Sequence, residues 1–246
     1  MTKLILALIA LVFTGDIAFG SDLTMSLTDN SANLSGGFSS RIIQMIGIMT
    51  ILSVAPSIVI MFSSFVKISV VLSILRNGLG LQQTPPNSVL ASLALFLTFF
   101  VMQDTINDIY NDALEPLIEE RITNEVAWDN LQKPVRNFML HNTADKELSL
   151  FRGMAKVGED ISRDETPIHV LIPAFLISEL RKAFEIGFLI FLPFLIIDLV
   201  VSSVLMAMGM MMLPPVTISL PFKLIFFVLV DGWYMICGSL VKSYGL

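Results

Sequence analysis

Hydrophobic residues in this chain are grouped into long blocks, and a central polar region separates them. The first block runs from Ile42 to Leu75 and the second from Val89 to Met102. After the polar region, apolar residues dominate again from Phe184 to Leu213 and from Leu220 to Val241. The pattern predicts apolar helices, because no alternating pattern is long enough to indicate a sheet.

Two proline-containing corners divide these blocks into pairs. Gly78 and Gly80 can end a helix, and Pro85-Pro86 prevents its continuation, so the first two blocks should form a hairpin. Pro214-Pro215 separates the later pair in the same way. We therefore predict one helical hairpin over residues 42–102 and a second over residues 184–246.

The intervening region, residues 103–183, holds most of the 21 acidic residues but also has a helical hydrophobic pattern. The residues that recur at this spacing are Ile106, Ile109, Tyr110, Ala113, Val135, Phe138, Met139, Leu148, Phe151 and Met154. The region should form amphipathic helices, with a new helix starting at Thr166-Pro167 or Ile172-Pro173. Together the three segments predict an all-α fold in which residues 42–246 form one domain.

The first twenty residues have the features of a cleavable secretory signal. Lys3 gives a positive start, Leu4 to Phe13 are apolar, and small residues precede a cleavage point between Gly20 and Ser21. The apolar run is shorter than the about 20 residues that span a bilayer; an uncleaved short anchor is the alternative. Residues 21–41, rich in small polar side chains, predict a flexible lead-in.

The composition indicates a membrane protein. The chain is 54% hydrophobic and 15% charged, whereas a soluble domain carries about 25% charged residues. A net charge of -6 without a cluster of lysine and arginine argues against a nucleic-acid partner. Hydropathy predicts four spanning helices in a bacterial inner membrane, with the polar region on the periplasmic side. The corners at 76–87 and 214–219 contain only Arg76 as a basic residue, so burial of these helices against other protein remains an alternative.

Four charged residues lie within the apolar blocks: Lys67, Asp198, Lys223 and Asp231. An isolated charge inside a bilayer costs several kcal/mol, so such residues face a partner or a wet cavity. Two lysines and two aspartates favour structural pairing between helices or subunits. A proton relay through Asp198 and Asp231 is the functional alternative.

The residues that enzymes and metal sites use are sparse. The two histidines, His141 and His169, stand far apart, and Cys237 is the single cysteine. There is no metalloprotease motif, glycine-rich phosphate loop or nucleophile elbow. We therefore predict no catalytic site, no metal and no cofactor, and a lone cysteine excludes a disulfide within one chain.

Methionines are concentrated just before the second corner, at Met206, Met208, Met210, Met211 and Met212. The thioether side chain is flexible and polarizable, so it fills irregular gaps and tolerates a changing partner. This indicates either apolar filling in a membrane helix or a soft constriction through which another molecule passes.

Several ordered motifs resemble the FliP family of flagellar export proteins. They are Ser64–Ile68, Leu79–Asn87, Leu95–Phe100, Pro173–Leu180, Ala183–Phe188, Met210–Pro215, Pro221–Lys223 and Asp231-Gly232-Trp233. The resemblance covers residues 42–242, and the same family includes the R-type component of virulence type III injectisomes. One departure is that Gln103-Asp104 stands where family members often carry proline, at the exit from the first hairpin.

The resemblance implies a core channel-forming subunit of the flagellar type III export gate, in the inner membrane at the flagellar basal body, with much of the complex on the periplasmic side. The expected assembly is a homo-oligomeric ring, a pentamer, with FliR and FliQ and with neighbouring FlhB and FlhA, through which unfolded substrates pass. Met210, Met211 and Met212 match the family's pore gasket. The injectisome R component and a proton-coupled transporter are the alternatives; the signal peptide and Leu213-Pro214-Pro215 favour the flagellar branch.

Three residues are candidates for contacts between copies: Phe138, Phe151 and Glu179. Large aromatic side chains dominate interface energetics, and Glu179 lies near Arg181 and Lys182, which suits pairing across a seam. Packing within one chain, with a local Glu179–Lys182 pair, is an equally supported interpretation.

Overall fold

The computed structural model describes residues 45–47, 49, 50, 53, 60–157, 162–210 and 213–245. Within these ranges the chain forms helices and turns and no strand, so the all-α prediction is confirmed. The signal cleavage point at Gly20 and Ser21 and the lead-in at 21–41 lie outside the described residues. The chain divides into two units, residues 1–56 and 57–246. In the first unit the few described positions are helical.

The second unit contains all of the longer helices in the described part of the chain. In chain order they are α1 (Phe65–Gly78), α2 (Asn87–Val101), α3 (Gln103–Ile109), α4 (Glu115–Ile118), α5 (Asn124–Asn142), α6 (Asp145–Met154), α7 (Ile168–Ala207), α8 (Pro215–Leu229) and α9 (Gly232–Lys242). A π-helical turn at Tyr110–Leu114 joins α3 to α4, and a 3-10 turn at Arg163–Glu165 precedes α7.

Helices α1 and α2 pack against each other across the corner that the glycines and prolines predict. Gly80 adopts a positive φ of 79°, which a residue with a side chain rarely takes. The Arg76 guanidinium donates to the Asn87 side chain and so ties the two helices together. Beyond Val101 the chain bends by 62° into α3, which begins at Gln103.

Helix α7 is the longest element, with 40 residues. It begins directly after Pro167, whose fixed φ suits the start of a helix, and Pro173 lies inside it. Residue 184 is therefore inside a continuous helix that the polar region and the second apolar region share. At about 1.5 Å per residue its length is roughly 60 Å, about twice the thickness of a bilayer core.

Helix α7 is also the one described helix that is long and apolar enough to cross a membrane by itself. Two bent pairs, residues Asn87–Ile118 and α8 with α9, would raise the number of candidate spans to three, and each pair bends by 62°. The hydropathy of the sequence predicts four spanning helices. The fourth expected span, in the block 42–75, lies partly outside the described residues.

One apolar core surrounds α1 and contains side chains from α2, α7, α8 and α9. Its fully buried members include Ile68, Val71, Leu72, Ala94, Ala183 and Leu240. A smaller core joins α5 and α6 to the first turns of α7, through Met139, Leu140, Leu148, Leu171, Ala174 and Phe175. The second core explains why the polar region is helical, because its amphipathic faces pack on α7.

Helices α1 and α7 pack closely at Gly187. A Cβ atom built there would lie 2.4 Å from the Cδ1 atom of Ile74. We expect Gly187→Ala to lower the free energy of unfolding by about 1–3 kcal/mol, because Ile74 or the helix must shift. Unfolding of the detergent-solubilised chain by denaturant, followed by circular dichroism, measures the change.

Gly238→Ala is the matched control for this substitution. Gly238 is also helical, but nothing beyond its own helical turn lies within 4 Å of a Cβ atom built there, so the substitution should be neutral or stabilising. Adding Ile74→Val, which removes the Cδ1 atom, should restore part of the loss. Equal stabilities of the Gly187 and Gly238 variants would contradict close packing at this crossing.

Candidate functional site

The most buried ion pair in the described part of the chain joins Lys67 of α1 to Glu179 of α7. Lys67 and Glu179 are both fully buried, and the Lys67 Nζ atom lies 3.7 Å from the Glu179 Oε1 atom. Burying two charges is costly unless further polar or aromatic groups surround them. The residue that supplies those groups is Tyr244, two positions beyond α9.

Tyr244 contacts both charges of this pair. Its ring centroid lies 3.3 Å from the Lys67 Nζ atom, a cation–π contact. Its hydroxyl donates to the Glu179 carboxylate and lies 3.4 Å from the Ser64 carbonyl oxygen. Burial, and then the Glu179 charge, raise the pKa of Tyr244 well above its usual range, so the hydroxyl stays protonated and donates.

Two neighbours of Glu179 on α7 hold the turn between α5 and α6. Lys182 donates to the Asn142 carbonyl oxygen at 2.7 Å and lies 3.8 Å from Glu179. The Ser178 hydroxyl oxygen accepts from the Ala144 amide at 3.0 Å. The Pro173–Leu180 motif of the family resemblance, with the residues that follow it, therefore combines a core contact and a clamp on the polar region.

Two arginines add further contacts to the turn between α5 and α6. Arg181 lies 3.0 Å from the buried carboxylate of Glu147 on α6. Arg163, in the turn before α7, donates to the carbonyl oxygens of Leu140 at 2.8 Å and Thr143 at 2.6 Å. Because these donors satisfy the end of α5, the turn into α6 keeps one geometry.

The three residues expected at contacts between copies make contacts within the chain. The ring of Phe138 meets the rings of Phe175 and Tyr244, each with centroids 6.0 Å apart. Phe151 is half-buried against the core between α6 and α7. Glu179 has the local pair with Lys182 and, in addition, the pair with Lys67. A role for these residues between copies stays a prediction.

A second ion pair links α7 to α8 and to the end of α1. The Lys223 Nζ atom lies 2.7 Å from the Asp198 carboxylate and donates to the Gly78 carbonyl oxygen at 3.1 Å. The Ser219 hydroxyl donates to the other Asp198 oxygen. The structure thus brings together two of the four charges that lie in the apolar blocks.

The other two charges have different surroundings. Lys67 pairs with Glu179, which lies in the polar region, and not with an aspartate. Asp231 is exposed at the break between α8 and α9, and no ion pair joins it to another described residue. Its φ of 50° is the left-handed conformation. A lysine, and not a second carboxylate, is the charged partner of Asp198.

The methionine segment lies where α7 ends. The helix stops at Ala207, and Gly209 follows with a φ of 74°. The side chains of Met206, Met208 and Met210 are 59%, 62% and 43% exposed, which is unusual for such apolar groups. Met211 and Met212 lie outside the described residues.

Much of the apolar surface is exposed in a single chain. Large exposed side chains include Leu95, Phe96, Phe100, Phe184, Phe188, Leu189, Val228, Leu229 and Tyr234. They lie on α2, α7, α8 and the start of α9. Exposed apolar surface of this extent indicates burial in lipid or against other protein.

Among the described residues, no three histidine, cysteine, aspartate or glutamate side chains lie close enough together to hold a metal ion.

These features define a class: an all-helical, membrane-associated protein whose core is fixed by buried ion pairs and whose outer faces are apolar. The chain belongs to the FliP family, whose model matches residues 48–240. It is therefore a component of the flagellar export machinery. Neither the injectisome R component nor a proton-coupled transporter is favoured.

Three similar proteins, each named flagellar biosynthetic protein FliP, illustrate the extent of the match. The protein of Caulobacter vibrioides is 52% identical over 222 residues, which are 90% of this chain and 84% of that protein. The Bacillus subtilis protein is 50% identical over 83% of this chain and 93% of its own length. The Aquifex aeolicus protein is 44% identical over 97% of this chain and 98% of its own.

Proposed function

We propose that this chain is a core channel-forming subunit of the flagellar type III export gate. In this proposal five copies form a ring in the bacterial inner membrane at the flagellar basal body, with much of the ring on the periplasmic side. FliR and FliQ complete it, FlhB and FlhA lie beside it, and unfolded proteins pass through. The role needs no catalysis and no cofactor. Membership of the FliP family over residues 48–240 is the observation that carries the proposal.

The exposed apolar faces support assembly with other subunits. Side chains on α2 and on the middle of α7 are open in one chain, although the cores beneath them are closely packed. Burial of apolar surface contributes about 25 cal/mol per Å². Neighbouring helical subunits that cover these faces would stabilise the ring and leave only its outermost surface to lipid.

The methionine segment after α7 supports a seal on the channel axis. A constriction lined by flexible apolar side chains excludes water, and ions with it, by dewetting. Thioether side chains adapt to substrates of different sequence because they need no single fixed fit. We assign this seal to Met210, Met211 and Met212, which follow the helix end at Ala207.

Replacing Met210, Met211 and Met212 together with alanine tests the seal. We expect the assembled complex to conduct small ions in the absence of substrate, with conductance raised by roughly tenfold or more, because shorter side chains leave a wet opening. Conductance of the purified complex in planar bilayers is the measurement, and native mass spectrometry confirms the assembly. Met154→Ala, at an exposed methionine in α6, is the matched control.

An assembled triple variant with the conductance of the unmodified complex would overturn the seal. A complex of different copy number would overturn the pentamer while leaving the seal open to the same test. Crosslinking of a stalled export substrate to residue 210, but not to residue 154, would support passage along this segment.

A further inference from the structure

Helix α9 and the turn that follows it bury one line of side chains against the rest of the second unit. Gly232, Ile236, Leu240 and Tyr244 recur every four residues, and all four are buried. Tyr234, on the opposite side of the helix, is 83% exposed. A helix with one buried stripe rests on the surface of the core as a strap, in contrast to α1, which the core surrounds.

The strap begins at a sharp break. α8 and α9 are bent by 62° at Val230 and Asp231, and Asp231 has the left-handed φ of 50°. A residue with a side chain rarely adopts this conformation, and it costs about 1–2 kcal/mol. A Cβ atom built at Gly232 would lie 2.2 Å from the Phe227 ring, so glycine permits the close return of the chain. The direction of α9 therefore changes at these two residues.

The strap is fastened at its other end by Tyr244. This side chain contacts Lys67 of α1 and Glu179 of α7, and it stacks on Phe138 of α5. Among the described residues, Lys182 is the other charged group that faces the pair, 3.8 Å from Glu179. Tyr244 thus joins the strap to three helices that are distant from it in sequence.

We propose that α9 is a closing strap, with Asp231-Gly232 as its hinge and Tyr244 as its latch on the Lys67–Glu179 pair. In the closed position, the Tyr244 ring covers the Lys67 ammonium and its hydroxyl donates to one oxygen of the Glu179 carboxylate. Burial of the ion pair and closure of the strap are therefore one event. When the latch is released, α9 moves about the hinge and water reaches the pair. This device does not depend on whether the chain lines a channel.

The single cysteine offers a direct measurement, because Cys237 is half-buried on α9. We expect Tyr244→Ala to raise the rate of Cys237 alkylation by N-ethylmaleimide about tenfold or more in the detergent-solubilised full chain, since local opening exposes the thiol. Tyr244→Phe retains the ring but removes the donor to Glu179, so its rate should lie between the two. Tyr234→Ala, on the exposed side of the same helix, should leave the rate within about twofold of the unmodified chain.

A second comparison separates a latch from a general loss of structure. In a chain that carries Lys67→Met and Glu179→Gln, no charge lies under the Tyr244 ring and its hydroxyl has lost the carboxylate acceptor, so adding Tyr244→Phe should change the alkylation rate by less than about twofold. Helix content by circular dichroism should be equal in these variants. Alkylation of the Tyr244→Phe chain at the unmodified rate would overturn the latch, as would equal effects of this substitution in the charged and neutral backgrounds.

Discussion

Glu179→Gln is expected to lower the free energy of unfolding by about 3–5 kcal/mol, the cost of leaving one member of a buried ion pair without its partner. Lys67 remains fully buried in this variant, and glutamine supplies no charge to balance it. Lys182, 3.8 Å from the same carboxylate, adds to the uncompensated positive charge. Denaturant unfolding of the detergent-solubilised chain measures the loss.

Glu185→Gln is the matched control for this experiment. Glu185 lies six residues further along α7, is 62% exposed, and its pair with Arg181 measures 3.7 Å. An exposed pair of this kind contributes about 0–1 kcal/mol. Adding Lys67→Met to Glu179→Gln should recover most of the stability, because no charge is then buried alone. A Glu179 variant as stable as the Glu185 variant would show that the pair does not stabilise the fold.

Lys223→Met is expected to cost about 2–4 kcal/mol, somewhat less than loss of Glu179, because Asp198 retains some contact with solvent. The substitution removes the ammonium that binds the Asp198 carboxylate and the Gly78 carbonyl oxygen. The end of α1 and the contact between α7 and α8 should loosen together. Unfolding of the purified chain and the yield of assembled complex are the two measurements.

The same experiment distinguishes a structural ion pair from a proton relay. Lys242→Met, at an exposed lysine in the last turn of α9, is the control and should change neither measurement. A relay requires that Asp198→Asn yields a stable, assembled complex that exports nothing. A structural pair requires that Asp198→Asn, like Lys223→Met, lowers stability and the yield of complex in parallel.

The sequence is most informative about where this chain turns. Gly80 and Pro85-Pro86 predict the corner between α1 and α2, and Pro167 marks the start of α7. Glycine and proline are informative here because they restrict or free the backbone at their own positions. The continuity of α7 through residue 184 is harder to predict from the sequence. Hydropathy detects the change from polar to apolar composition there, and a helix that continues across the change leaves no local signal.

Partners across the fold are harder to derive than turns. Counting two lysines and two aspartates suggests that they pair with one another, and Asp198 does pair with Lys223. Lys67 instead pairs with Glu179, which lies in the polar region of the sequence, because α7 carries that residue back to α1. The role of Tyr244 is missed from the sequence, although the four-residue spacing of Gly232, Ile236, Leu240 and Tyr244 is a visible signal.

The length of α7 makes it a lever between two parts of the molecule. Its first turns pack against α5 and α6, and its last residue, Ala207, leads directly to the methionine segment. From Ser178 to Ala207 the helix is roughly 45 Å long, so a tilt of about 5° at Ser178 displaces Ala207 by about 4 Å, close to the width of one side chain. In the proposed channel, a small rotation near Ser178 would therefore produce a displacement large enough to open or shut the passage.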